Sequence, residues 1–130
     1  MSPASRPKVL IVDDEESMRM LLARILTKDL KVEVQLAGTC EQALRLAESQ
    51  AYDAILLDLL MPGIGGYGVL SEIRRSSANG KTPVIVVSQL TEKWAIERSL
   101  AAGASAYHTK PVRRPELVKT VKDQLAARAR

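Results

Sequence analysis

Five polar side chains in this 130-residue sequence sit one to three residues past short apolar runs. Asp13 and Asp14 follow Val9–Val12, and Asp58 follows Ala54–Leu57. Ser88 follows Val84–Val87, and Lys110 follows Ala104–Tyr107. If these runs are parallel strands, their carboxyl ends share the edge at which open α/β sheets bind ligands. Three carboxylates, a hydroxyl and an ammonium would then meet in one place, a set suited to a divalent cation and a phosphoryl group. Mg²⁺ takes few carboxylates, keeps waters and accepts phosphate oxygens as its other ligands. A carboxylate can itself be a nucleophile and form an aspartyl phosphate. A lysine contacts phosphate as a point charge.

Each residue alone has a plainer use. Acids before a helix cap free N–H groups and favour its dipole. Asp58 and Ser88 could be turn residues, and Lys110 a surface lysine. Together they are harder to dismiss, because three acids in one pocket need a cation or Lys110 to offset their charge. A cis bond at Pro111 would aim Lys110 inward, although X–Pro bonds are mostly trans.

The elements that must position these groups are legible as alternating apolar runs and helix-period segments, the mark of βα units around a parallel sheet. The runs at Val9–Val12, Ala54–Leu57 and Val84–Val87 are continuously apolar, as strands covered on both faces are. Val32–Leu36 alternates apolar with polar and suits an edge strand. Ser105–His108 is mixed and suits the other edge. Met18, Leu21, Leu22 and Ile25 share one face of a first helix, and Cys40, Ala43, Leu44 and Ala47 one face of a second. Thr39 and Gln42 form a capping-box pattern at the start of that second helix. Leu70 and Ile73 lie on a third helix, closed by the turn residues Ser76–Gly80. A fourth spans about Thr91 to Ala102 and stops at Gly103. A fifth begins near Pro115 and buries Leu117, Val118, Val121 and Leu125. With right-handed crossovers and edge strands second and fifth, the expected fold is a flavodoxin-like (βα)₅ sandwich, sheet order 2-1-3-4-5. The expected divisions are a flexible segment at 1–7, one domain at 8–126 and a tail at 127–130.

Composition narrows the class. Apolar residues make up 46% and charged residues 26%, the balance of a soluble globular domain. Trp94, Tyr52, Tyr67 and Tyr107 are the aromatic residues, so the core must be aliphatic. No apolar run approaches the ~20 residues that cross a bilayer. Met1–Pro7 has no apolar core of a signal peptide. Cys40, the single cysteine, excludes an internal disulfide and is expected in the core. A cytoplasmic location follows as the expectation. The net charge is +4, and the segment Lys110–Arg130 carries +5 of basic excess. That excess suits a solvated helix or an acidic partner. No aromatic residues interleave with it, so direct nucleic-acid binding is not expected. His108 lacks metal-ligand neighbours and is expected on the outer side of its strand. Trp94 is either packed or an exposed interface anchor, a role in which tryptophan is enriched.

The motifs Val9-Leu10-Ile11-Val12-Asp13-Asp14-Glu15, Leu56-Leu57-Asp58-Leu59-Leu60-Met61-Pro62-Gly63, Val86-Val87-Ser88 and Gly103-Ala104-Ser105-Ala106-Tyr107-His108-Thr109-Lys110-Pro111 closely resemble the receiver domain of two-component response regulators. The likeness runs over about residues 8–126. It implies that Asp58 accepts a phosphoryl group from a phosphohistidine on a sensor histidine kinase or histidine phosphotransfer protein. It implies Mg²⁺ held by Asp13, Asp14, Asp58 and the backbone carbonyl of Leu60, with Lys110 and Ser88 on phosphoryl oxygens. Ser88 and Tyr107 would be the switch pair, Ser88 moving toward the phosphate as Tyr107 turns inward. The face of the fourth helix, fifth strand and fifth helix, Trp94 included, would then change its downstream effector. The protein would be a monomer or a phosphorylation-dependent dimer.

Gln89 and Leu60 depart from the residues common at their positions and border the path of an attacking water, and Val112 replaces a common aromatic residue. On this reading the chain is not an enzyme acting on an external metabolite, although it assists its own phosphorylation and dephosphorylation. Alternatives are a docking module of the same fold that never takes phosphate and a small Mg²⁺-dependent phosphohydrolase. The first usually lacks part of the acid–lysine set, which is complete here; the second needs an additional acid or base near Asp58. A flavin module would need a phosphate-cradling loop after the first strand. No output domain is expected after the fifth helix, and a stand-alone receiver and a piece of a longer regulator or hybrid kinase both stay open.

Overall fold

The computed structural model describes residues 6–129. Strands β1 (Lys8–Val12), β2 (Glu33–Ala37), β3 (Ala54–Leu57), β4 (Val84–Ser88) and β5 (Ala106–Thr109) alternate with helices α1 (Glu16–Asp29), α2 (Cys40–Ser49), α3 (Gly65–Arg75), α4 (Lys93–Ala101) and α5 (Arg114–Ala129). All strand pairs are parallel and the order is β2-β1-β3-β4-β5, as expected. The expected flexible segment falls mostly on residues 1–5, outside the described residues, and α5 continues to Ala129 through the segment assigned to a tail.

Side chains of the three central strands are buried on both faces. Leu10, Val12, Ile55 and Leu57 pack with Cys40, Ala43 and Ala47 of α2 and Val69, Leu70 and Ile73 of α3. Val9, Ile11, Leu56, Ile85 and Val87 pack with Leu22, Ile25 and Leu26 of α1 and Leu117 and Val121 of α5. The strand alternation thus splits one apolar run between two cores. The α1 face differs from expectation by one step. Leu26 is fully buried and Leu21 is exposed, so the stripe runs Met18, Leu22, Ile25, Leu26.

Local signals behave as chemistry requires. The Thr39 hydroxyl accepts from the Gln42 N–H at 3.1 Å, while the Gln42 side chain reaches back to the N–H of Gly38 rather than of Thr39. At the end of α4, Gly103 has φ 108°, its N–H donates to Leu100 and that of Ala104 to Ser99. That is the paired closure for which a left-handed C′ residue is needed. Asn79, inside the segment read only as a turn, is fully buried. Its amide donates to the Ala47 and Gln50 carbonyls and accepts from Tyr52 N–H and Thr82 hydroxyl, tying α2, β3 and the α3–β4 loop together.

One glycine governs how close α3 comes to Asp58. A Cβ on Gly66 would lie 2.3 Å from the Asp58 carbonyl oxygen and 2.4 Å from the Leu59 Cα. Both are backbone atoms, so no rotamer relieves the clash. Gly66→Ala is expected to lower stability by about 1–3 kcal/mol, the range for overpacking, as measured by urea unfolding. An unchanged midpoint would mean α3 can retreat freely.

Candidate functional site

The sheet ladder itself gathers the strand ends. Val12 pairs with Leu57, so Asp13 and Asp58 leave adjacent strands side by side, and the Asp58 N–H donates to the Val12 carbonyl at 2.9 Å. Ser88 pairs with Thr109, and the Lys110 N–H donates to the Ser88 carbonyl at 2.8 Å. The Lys110–Pro111 bond is cis.

Lys110 points inward, with its side chain 5% exposed. Its Nζ lies 2.8 Å from Asp13 Oδ2, 3.5 Å from Asp58 Oδ2 and 3.7 Å from Glu15 Oε1. Asp13 and Asp58 are buried and Asp14 is exposed; one carboxylate oxygen from each lies within 4.8 Å of the others. Asp13 Oδ1 also accepts the Glu15 N–H at 2.9 Å, and Arg19 donates to the Asp13 carbonyl at 2.7 Å, which pins the β1–α1 turn. Asp58 Oδ1 accepts the Leu60 N–H at 3.2 Å. Asp14, Glu15, Asp58, Leu60, Gln89 and Lys110 line a cleft of about 270 Å³.

One ammonium shared among three acids leaves a local excess of negative charge. Burial pushes the pKa of Asp58 up; Lys110 pulls it down and Asp13 pushes it up again, and the net direction is upward. Burial pulls Lys110 down, but the Asp13 hydrogen bond and the charges of Asp58, Asp13 and Glu15 outweigh it, so its pKa is raised. The hard oxygen donors of Asp13, Asp14 and Asp58 fit a magnesium ion, which takes few carboxylates and completes its shell with other oxygens. A bound dication would supply the charge that Lys110 alone does not.

Four of the expected site residues are therefore brought together: Asp13, Asp14, Asp58 and Lys110. Leu60 borders them through its N–H bond to Asp58 and its place on the cleft wall. Ser88 is not drawn into that contact set. It is fully buried, and its hydroxyl accepts the Leu90 N–H at 3.3 Å. Tyr107 is half-buried and its hydroxyl donates to the Leu90 carbonyl at 2.6 Å. Burial raises the Tyr107 pKa, with the Ser88 hydroxyl pulling the other way. Trp94 is 55% exposed on α4, and Cys40 is buried. His108 is corrected: instead of lying outward it is half-buried against α5, with Nε2 2.8 Å from the Thr120 hydroxyl. Burial lowers its pKa, opposed by Glu116. Glu15 and Gly66 were not among the expected residues. Glu15 directly follows the acid pair, and that adjacency was the available signal. No helix among the described residues is long and apolar enough to cross a membrane.

The family model described as "Response regulator receiver domain" matches residues 9–122. The sensory/regulatory protein RpfC of Xanthomonas campestris pv. campestris is 37% identical over 118 residues, 89% of this chain but 16% of that protein. The chemotaxis protein CheY of Halobacterium salinarum is 29% identical over 120 residues, 92% of this chain and 98% of that protein. Among solved structures, the receiver domain of a sensor histidine kinase from Pseudomonas aeruginosa superposes with a TM-score of 0.85 at 30% identity, covering 94% of this chain and 99% of that one. That structure carries a magnesium ion coordinated in its active site cleft.

Proposed function

This chain belongs to the response regulator receiver domain family, and from that membership we propose that Asp58 is its phosphoryl acceptor. The observation that carries the proposal is the setting of the Asp58 carboxylate: buried, 3.5 Å from the Lys110 ammonium, beside the Asp13 and Asp14 oxygens, and opening on the cleft. One Asp58 oxygen attacks phosphorus as the bond from phosphorus to the donor imidazole nitrogen breaks. The acceptor oxygen keeps the new bond and the imidazole leaves with the electron pair. Phosphoryl transfer asks a protein mainly for alignment and charge neutralisation.

Asp13, Asp14, Asp58 and the Leu60 carbonyl would hold Mg²⁺, which when bound neutralises charge on the transferring oxygens. Lys110 then has a phosphoryl oxygen to contact in place of the bare Asp58 carboxylate. Ser88 exchanges its Leu90 partner for another phosphoryl oxygen. A phosphoryl group adds nearly two negative charges at neutral pH, enough to bias a loop with two positions. The donor is a sensor histidine kinase or histidine phosphotransfer protein. The response is read by an effector on the face of α4, β5 and α5, where Trp94 stands exposed. The reading extends to a cytoplasmic protein, monomeric or dimeric on phosphorylation, that turns over no external metabolite.

The test is intact-mass measurement after incubation with a small phosphodonor, with and without Mg²⁺. The expected result is one phosphoryl adduct, dependent on Mg²⁺ and mapping to Asp58. No adduct under any condition would leave a docking module as the better account. Catalytic release of phosphate from an external phosphomonoester would favour a phosphohydrolase.

Leu60 and Gln89 bear on how long the adduct lasts, since both line the cleft from which water must approach. Gln89→Ala and Leu60→Asn are each expected to change the dephosphorylation rate several-fold, followed by decay of the intact-mass adduct. If both leave it unchanged, neither residue guards the water path.

A further inference from the structure

Helix α4 is held at its two ends in different ways. It is nine residues long and buries only Ala95 and Ser99, both small. Its first residue has no side-chain cap. Its C-terminal end is fastened: Arg74 donates to the Gly103 carbonyl through Nε at 3.1 Å and Nη2 at 2.6 Å, and to the Thr82 carbonyl through Nη1 at 2.8 Å. Elements with so little buried apolar contact lie at the low-stability end of a domain.

What meets the body of α4 from α3 is Tyr67. Its hydroxyl donates to the Ala95 carbonyl at 3.1 Å, and the Arg98 guanidinium lies 3.9 Å above the centre of its ring. Tyr67 directly follows Gly66, whose N–H donates to the Leu59 carbonyl at 3.0 Å and whose lack of a side chain leaves room for the Asp58 backbone. The tyrosine is thus tied to the loop that carries Asp58 through the backbone of Gly66.

We propose that Tyr67, with Arg98 laid over its ring, is a latch that holds the body of α4, from Ala95 to Arg98, in place and sets how readily that helix responds to the acceptor site. The regulatory half of this proposal rests on the receiver reading above; the latch itself does not. Arg74 fastens the loop just past the C-terminal end of α4, and Tyr67 grips the helix ahead of it at Ala95 and Arg98. Trp94 stands beside Ala95 in the first turn of α4 and is the single tryptophan of the chain, so it reports on the helix directly.

Amide hydrogen exchange on the unphosphorylated full chain tests the latch. Tyr67→Phe removes the hydroxyl and keeps the ring; Arg98→Met removes the cation and keeps a stem. Each is expected to speed exchange of the α4 amides, for Tyr67→Phe roughly 2- to 10-fold, the value of one net hydrogen bond. Exchange in α1, α2 and the central strands should not change. Unchanged exchange in α4, or equal acceleration across all elements, would overturn the latch. A second arm follows Trp94 fluorescence after Mg²⁺ and a small phosphodonor, with the adduct verified by mass. Tyr67→Phe is expected to start nearer the phosphorylated signal and so to change less than wild type. An equal change in both would overturn the regulatory half. If wild type forms no adduct, the receiver reading fails, and the exchange arm still decides the latch.

Discussion

Asp58→Asn is expected to abolish the phosphoryl adduct entirely and yet to make the metal-free protein more stable at neutral pH. The first effect follows from removing the attacking oxygen: an amide has no ionised oxygen to offer and cannot form the acyl phosphate. The second follows from burial. Asp58 is 5% exposed and its pKa is raised, chiefly because burial penalises the charged form. A carboxylate with a raised native pKa favours folding below its unfolded pKa of about 3.9, and that contribution is lost as pH rises through the native value. At pH 7 the ionised group therefore weighs against the folded state. Asparagine keeps an oxygen for the Leu60 N–H and removes the charge. The gain should show as a higher unfolding midpoint of the variant. It should fade as pH falls through the unfolded value of about 3.9, where the wild-type carboxyl takes up its proton in both states. Thermal unfolding in EDTA at pH 7 and pH 4 measures it. Added Mg²⁺ should raise the wild-type midpoint more than that of the variant. A variant less stable than wild type at pH 7 in EDTA would mean that Lys110 already compensates Asp58 in full.

That balance was only partly legible in the sequence. The fold was, because continuous apolar runs at three strands and mixed runs at two leave few sheet orders open, and helix ends at Thr39 and Gly103 carry their own chemistry. The common sheet edge of Asp13, Asp14, Asp58 and Lys110 was legible for the same reason. Which carboxylate takes the 2.8 Å contact with Lys110 was not, since that depends on side-chain reach across a few ångströms. Leu21 and Leu26 sit at opposite margins of one helical stripe, and the packing of α1 against the sheet, invisible to periodicity, buries Leu26. Ser88 had the right hydroxyl in the right place, but its partner is set by the conformation of the loop after β4. His108 is half-buried with Thr120 of α5 as its partner, a contact 12 positions away in sequence. Gly66 and Asn79 looked like ordinary turn residues. What they do, admitting a backbone and satisfying four polar groups, is a property of segments that meet only after folding.

Lys110→Met is expected to be the most destabilising single change at the site, by about 3–5 kcal/mol at pH 7, the usual result of leaving buried charge without its partner. Methionine keeps the apolar stem and length, so the loss is one of charge rather than of volume. The Lys110 pKa is raised, and a base with a raised native pKa contributes stability that is fully present below its unfolded pKa of about 10.4. At pH 7 the whole of that contribution is at stake. Without Lys110, Asp58 loses its main pKa-lowering neighbour while burial and Asp13 go on raising it. The deficit should therefore shrink as pH falls and Asp58 takes up a proton. Urea unfolding of wild type, Lys110→Met, Asp58→Asn and the double variant at pH 7 closes a cycle. The double variant should be less destabilised relative to Asp58→Asn than Lys110→Met is relative to wild type, because one of the uncompensated acids is gone. Mg²⁺ should recover part of the loss in Lys110→Met, since a dication at Asp13, Asp14 and Asp58 supplies the missing positive charge. Equal losses in both backgrounds, with no dependence on pH or Mg²⁺, would show that Lys110 stabilises this edge of the sheet by packing and not by its charge.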